Sequence, residues 1–241
     1  MSGGSLNESV IIDFTRYMNR IIEVKDDYAI VEPGCFYRDF DKATRKIGKI
    51  MPTYTASREI CAVGGMVANN AGGEKSIKYG KVENHIKKLK VIFSDGNEYE
   101  VKPMTLKELE EKIAQNNFEG ELYKKIFDLI KDNYDEIVSA KPDVSKNSSG
   151  YYLWNVYDKE KQTFDLCRLI SGSQGTLGIV TEITFDLIPI AKYSNLLVVF
   201  LPSLEKVSEL VTRILPYKPE SLETYDDKSM ILAVRFFFDF F

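Results

Sequence analysis

Apolar and polar positions alternate over short stretches in the first third of the chain. Residues 10–13 are β-branched and apolar, residues 21–24 repeat that character, and residues 28–32 alternate after the turn signal Asp26-Asp27. The pattern predicts three short strands, the last two joined as a hairpin. Pro33-Gly34 breaks the chain, after which Phe36, Phe40, Ala43 and Ile47 recur at helical spacing and predict a helix over 37–47. The apolar run 89–93, the turn Asp95-Gly96-Asn97 and residues 99–101 form the clearest hairpin signal in the sequence.

From Thr105 the texture changes. Thr105 with Glu108 makes a capping-box pattern, and Leu106, Leu109 and Ile113 continue on one face of the helix it starts. A second helix is predicted over 122–130. Both read as structural, because their apolar stripes carry no convergent polar cluster. Thr181, Ile183, Phe185 and Leu187 alternate against Glu182, Thr184 and Asp186, predicting a long strand over 179–188 that Pro189 ends. The run 196–201, a helix over 204–215 and a short run at 222–225 look like the β-α-β opening of a second domain. No linker, repeat or low-complexity tract interrupts the chain.

With 241 residues and 44% hydrophobic side chains, the chain can bury a core, which excludes disordered and collagen-like classes. Lys and Arg number 32 against 36 Asp and Glu, a net charge of −4, so the broad basic footprint of nucleic-acid binding is missing. The one tight basic cluster, Lys87, Lys88 and Lys90, reads as a solvated strand edge that discourages sheet pairing. No apolar run reaches the ~18 residues of a membrane span, and no signal-type leader opens the chain, so no transmembrane segment and a cytoplasmic location are expected. Cys35, Cys61 and Cys167 are odd in number and far apart, which predicts buried free thiols and no metal site. His85 is the only histidine and has no nucleophile motif near it; it reads as a residue at a strand entrance.

Two glycine clusters stand out. Val63-Gly64-Gly65 runs through Asn69-Asn70-Ala71-Gly72-Gly73 to Tyr79-Gly80, and Ser171-Gly172-Ser173-Gln174-Gly175-Thr176-Leu177-Gly178 leads into Ile179 and Val180. Such stretches let main chain approach a ligand closely and can form an anion-binding nest; they can equally be tight turns around a small-residue packing contact. The second cluster precedes a strand where a Rossmann fingerprint would open a helix after one, so a nicotinamide site is disfavoured. A phosphate-bearing ligand held by backbone amides is as far as the residues alone lead.

Taken in order, Val31-Glu32-Pro33-Gly34, Ile60 to Gly73, Lys78-Tyr79-Gly80, Lys146 to Tyr151 and Ser171 to Thr181 closely resemble flavoproteins of the D-lactate/glycolate dehydrogenase type. Those proteins have an FAD-binding domain of the vanillyl-alcohol-oxidase (PCMH) type. The resemblance implies an α+β fold of two subdomains with non-covalent FAD between them, over residues 1–192 with a helical insertion at about 104–145. Residues 193–241 would then begin a substrate domain built on an antiparallel sheet.

It further implies that Gly64 and Gly65 face the FAD pyrophosphate and that Asn69, Asn70, Ala71, Gly72 and Gly73 line the flavin side. Gly175, Gly178, Ile179 and Val180 would pack by backbone against the cofactor. Pro52 and Ser57 fall in the loop approaching the cofactor, and Val63, Tyr79 and Gly80 are implied as cofactor-binding positions with them. Ala62 stands where such proteins commonly have Thr, and Gln174 where they have Glu. The implied chemistry is oxidation of a small 2-hydroxy acid such as D-lactate, glycolate or 2-hydroxyglutarate. Electrons would pass to a separate acceptor: a quinone, an electron-transfer flavoprotein or an iron-sulfur partner. Against that pattern the chain looks truncated at both ends, with only Ser2-Gly3-Gly4-Ser5 where a first pyrophosphate loop is expected and an apolar tail at 235–241. The histidine-containing motif of the substrate domain has no counterpart, so no catalytic residue is assigned, and a non-catalytic fragment with weak or no FAD binding is the alternative.

Overall fold

The computed structural model describes residue 8, residues 10–144, residue 147 and residues 149–236. Ser2 to Ser5, Lys146, Ser148 and the last five residues of the tail lie outside the described residues. Strands β1 (Ile21–Val24) and β2 (Tyr28–Val31) form the expected hairpin, with Val24 opposite Ala29. Helix α1 (Tyr37–Arg45) follows, burying Tyr37, Phe40 and Thr44 on one face. Strand β3 (Lys49–Ile50) and the short helices α2 (Val63–Ala68) and α3 (Ser76–Tyr79) lead to β4 (Ile86–Ile92) and β5 (Glu98–Val101), the predicted second hairpin. Next come β6 (Met104–Thr105), α4 (Leu106–Ile113), α5 (Phe118–Asp132) and α6 (Tyr134–Ser139). Then β7 (Tyr157–Asp158), β8 (Thr163–Phe164), α7 (Cys167–Ile170), β9 (Ile179–Asp186) and β10 (Ile188–Pro189) complete the packed part. Helices α8 (Val207–Ile214) and α9 (Asp227–Phe236) come last.

The main sheet is antiparallel, in the order β1-β2-β9-β4-β5. The long strand β9 therefore sits between the two hairpins, Val31 pairing with Ile183 on one side and Leu89 with Ile183 on the other. Ala29, Val31, Leu89, Val91, Ile183 and Phe185 are buried there, and Phe40 of α1 lies with its ring 5.6 Å from that of Phe185. A three-stranded sheet, β6-β8-β7, carries the helical segment: Tyr123 and Phe127 of α5 meet Phe164 of β8 at ring separations of 6.1 and 5.8 Å. The capping box at Thr105 and Glu108 is formed.

Four expectations are corrected. Residues 10–13 are not a strand, and Val10 is 92% exposed: an apolar β-branched run needs a neighbouring strand, and none is beside it. The chain turns just afterwards, Met18 N–H donating to Phe14 O and Gly34 N–H to Met18 O. Lys87, Lys88 and Lys90 are not on an edge, because β4 pairs on both sides. Their charges are matched across strands instead, Lys87 to Asp27 (2.8 Å) and Asp186 (3.5 Å), Lys88 to Glu100 (2.8 Å) and Lys90 to Glu182 (3.1 Å). Residues 196–201 and 222–225 form no strand for the same reason as 10–13, with Leu196 and Phe200 about nine-tenths exposed (89% and 92%). Cys35 and Cys167 are buried as expected, but Cys61 is half-buried.

Candidate functional site

Helix α2 is too short and too rich in glycine to stand by propensity. Tertiary bonds hold both of its ends. At the start, Val63 N–H donates to Cys35 O (2.9 Å) and Gly64 N–H to Pro33 O (2.8 Å), while Phe36 and Ala62 form an isolated bridge. At the exit, the second glycine cluster closes on the helix: Gly172 N–H donates to Val67 O (2.9 Å) and Gln174 N–H to Ala68 O (2.9 Å). Carbonyls that a helix end leaves open are thereby satisfied by the loop lying more than a hundred residues later.

The glycines divide by what surrounds them. A Cβ on Gly64 would lie 2.6 Å from Pro33 Cβ, on Gly73 1.8 Å from Tyr54 O, and on Gly178 2.6 Å from Val91 Cγ1. These three serve close packing of the chain on itself. Gly65 and Gly175 are exposed, with nothing within 4 Å of the Cβ position. The packing reading therefore holds for Gly64, Gly73 and Gly178, while Gly65 and Gly175 stand open.

The other sequence-selected positions gather around this junction. Pro52 is buried, and its loop reaches the cluster through Tyr54 O at Gly73 and through Thr53 Oγ1, which donates to Gly80 O (3.1 Å). Ser57 is exposed, its hydroxyl 2.8 Å from that of Thr55. Asn69 is exposed, Ala71 and Val63 are buried, Gly72 is half-buried, and Ile179 and Val180 pair with Ile92 and Val91 at the start of β9. Tyr151 joins from the 147–151 motif, its hydroxyl 2.8 Å from Thr176 Oγ1.

Asn70 and Ser171 of the glycine clusters are buried, and so are Glu83, Lys81 and Tyr152, which sequence reasoning did not single out. Asn70 Oδ1 accepts from Glu83 N–H (3.1 Å), and Asn155 Nδ2 donates to Glu83 Oε1 (3.4 Å). Asn70 Nδ2, Glu83 Oε2 and Ser171 Oγ are buried without a hydrogen-bond partner among the described residues. Burial pushes the Glu83 carboxyl up from its ordinary value, against the pull of Arg168 and its amide neighbours. Lys81 Nζ donates to Tyr152 OH (2.7 Å). His85 is buried, and its Nε2–H donates to Tyr79 O (3.0 Å); desolvation lowers its pKa. His85 and Tyr79 lie six residues apart; the other partners lie 13 to 72 residues apart, beyond any local spacing rule. Two surface hollows lie elsewhere, one along α8 at Ser208 and Thr212 and one between α1 and Arg58.

Residues 1–102 match the family model described as an FAD binding domain. A D-2-hydroxyglutarate dehydrogenase of Pantoea ananatis is 27% identical over 235 residues, 96% of this chain and 23% of that protein. The glycolate oxidase subunit GlcD of Bacillus subtilis is 24% identical, covering 96% of this chain and 39% of its own length, and a D-lactate dehydrogenase of Archaeoglobus fulgidus is 24% identical with coverages of 92% and 40%. Among solved structures, an alkyldihydroxyacetonephosphate synthase superposes with a TM-score of 0.58 at 16% identity, over 92% of this chain and 31% of that one. The fold is a mixed one of helices and antiparallel sheet, similar to that of this synthase. The chain is similar to the FAD-linked 2-hydroxy acid dehydrogenases, and it spans about a quarter to two fifths of the length of the curated relatives it matches.

A flavin nucleotide fits the residues present in two respects. Gly65 and Gly175 leave backbone bare in α2 and in the second glycine loop, with nothing within 4 Å of either Cβ position. Asn70 and Ser171 hold unpaired polar atoms just behind those loops, ready to take a polar group or water. Among the described residues no helix is long and apolar enough to cross a membrane.

Proposed function

We propose that this chain holds FAD non-covalently at the junction of the two glycine loops, as part of a cytoplasmic oxidoreductase acting on small 2-hydroxy acids. The observation that carries the reading is the closure of the second glycine loop on the exit of α2, with backbone bare at Gly65 in that helix and at Gly175 in that loop, within a chain whose first 102 residues match an FAD binding domain. The segment through residue 192 is the flavin-holding unit, and the segment from 193 onward belongs to a substrate-facing unit. When bound, the flavin supplies the two-electron acceptor, and a separate protein or quinone takes the electrons onward.

The chain's own residues do the holding. Gly65 and Gly175 let main chain approach the nucleotide, Asn69 to Gly73 line it, and Ile179 and Val180 supply backbone at the start of β9. Asn70, fixed by the Glu83 amide, keeps the stretch after α2 in place. His85 is buried with its Nε2–H donating to Tyr79 O, and no role in the chemistry is assigned to it. The 2-hydroxy acid class rests on the relatives' names alone.

The test is uptake of FAD by the purified chain, read as flavin absorbance that comigrates with protein and is released fully on acid precipitation. D-2-hydroxyglutarate, D-lactate and glycolate are then mixed in anaerobically. Flavin bleached by one of them supports the whole reading. A chain that takes up no FAD overturns it, and uptake without bleaching overturns the oxidoreductase part while leaving the FAD part standing.

A further inference from the structure

Segment 194–236 has no fully buried residue, and the hydrogen bonds and ion pairs described between it and the rest of the chain converge on one side chain, Glu220. The Glu220 carboxylate accepts from Tyr79 OH (2.7 Å) and pairs with Lys75 Nζ (3.2 Å) and Lys78 Nζ (3.8 Å). Lys75 and Lys78 flank and enter α3, the turn that follows Gly72-Gly73, so these donors belong to the rim of the candidate site. Their geometry does not depend on the helix: a phenol and two ammonium groups from one short stretch point at one pair of oxygens.

We propose that Lys75, Lys78 and Tyr79 form a clamp for the carboxylate of a small acid, and that Glu220 is an internal occupant that an incoming acid displaces. Three observations support it. The donors are of the kinds that bind carboxylates, charged and hydroxylic, and among the described residues Glu220 is the acid they meet. The neighbouring carboxylate, Glu74, is already engaged by Tyr54 OH, whose ring Lys75 Nζ faces at 5.8 Å. Glu220 is carried on a stretch without helix or strand, after Lys218 in a left-handed conformation, so it can withdraw without unravelling an element. The clamp's partners also hold the Glu220 carboxyl below its ordinary pKa, Tyr79 first and Lys75 next, despite some burial, as expected of an anion site.

The inference rests on the proposed function only for the choice of acid, and it is tested without FAD. Calorimetric titration of the full chain uses glutarate, a dicarboxylate with no hydroxyl to oxidise, and inorganic phosphate in a parallel arm. Glu220→Gln is expected to bind glutarate about tenfold more tightly than the parent chain, because the internal competitor has lost its charge. Adding Lys75→Met to Glu220→Gln is expected to remove that gain. Glu220→Asp, which keeps the charge on a shorter stem, checks against a folding artefact and is expected to fall between parent and Gln variant.

Equal glutarate affinity in the parent and Glu220→Gln chains overturns the clamp, as does a gain that survives Lys75→Met. Phosphate bound as tightly as glutarate by Glu220→Gln overturns the carboxylate assignment in favour of a phosphate-bearing ligand. Because no flavin is present, failure of FAD uptake leaves these outcomes readable, and normal FAD uptake with an unresponsive Glu220→Gln chain sinks this inference alone.

Discussion

Gly172, at φ 85°, faces Asn70, at φ 42°: a Cβ on Gly172 would sit 3.2 Å from Asn70 Cβ. Two left-handed residues from distant loops thus meet where the second glycine cluster closes on α2. Gly172→Ala is expected to destabilise the fold by about 1–3 kcal/mol, from the positive φ and from the tight contact it would make with Asn70. Chemical denaturation of the two chains measures this, and a loss under half of that range would mean the loops part without consequence.

Gly64 and Gly65 are neighbours in sequence with opposite surroundings. Gly64→Ala is expected to cost about 1–3 kcal/mol through overlap with Pro33. Gly65→Ala lies in α2 with open space beside it and is expected to raise stability by about 0.4–1 kcal/mol. The same Gly65 substitution is expected to weaken FAD retention, because its methyl occupies the ligand side. Melting temperature and flavin content per folded protein, measured together, separate these effects. A stabilised Gly65→Ala chain with full flavin content would remove Gly65 from the site.

His85 gives stability a pH dependence with a definite sign. Burial lowers its folded pKa below the ordinary 6.5, while the weaker influence of Asp186 pulls the other way. Between the folded value and about 6.5 the unfolded chain binds more protons than the folded one, so stability falls as pH drops through that window. His85→Gln, whose amide can still donate toward Tyr79 O, is expected to show a shallower loss of stability from pH 7 to pH 5 than the parent chain. Parallel curves for the two chains would show that His85 carries no such linkage.

Thr105 caps α4 in both directions: Glu108 N–H donates to Thr105 Oγ1 (3.3 Å), and Thr105 N–H donates to Glu108 Oε2 (2.7 Å). Thr105→Ala is expected to cost about 1 kcal/mol by urea denaturation. Flavin content should be unchanged, since both cap bonds join Thr105 to Glu108.

What the amino-acid order determined by itself is local. The hairpin at Asp26-Asp27, helix α1, the box at Thr105, the turn at Asp95-Gly96-Asn97 and the long strand β9 each depend on residues within a few positions of one another, and each is present. The glycine clusters were also legible as places where backbone must come close to something. What they come close to was decided only by the tertiary structure: Pro33 for Gly64, Tyr54 for Gly73 and Val91 for Gly178, with Gly65 and Gly175 left open. The insertion of β9 between two hairpins turned the Lys87 to Lys90 run from an edge into a matched central strand. Apolar runs at 10–13 and 196–201 carry a strand pattern that no neighbouring strand completes. A strand's hydrogen bonds belong to its partner, and a packing glycine is defined by the atom across from it, so both kinds of fact lie outside any single stretch of sequence.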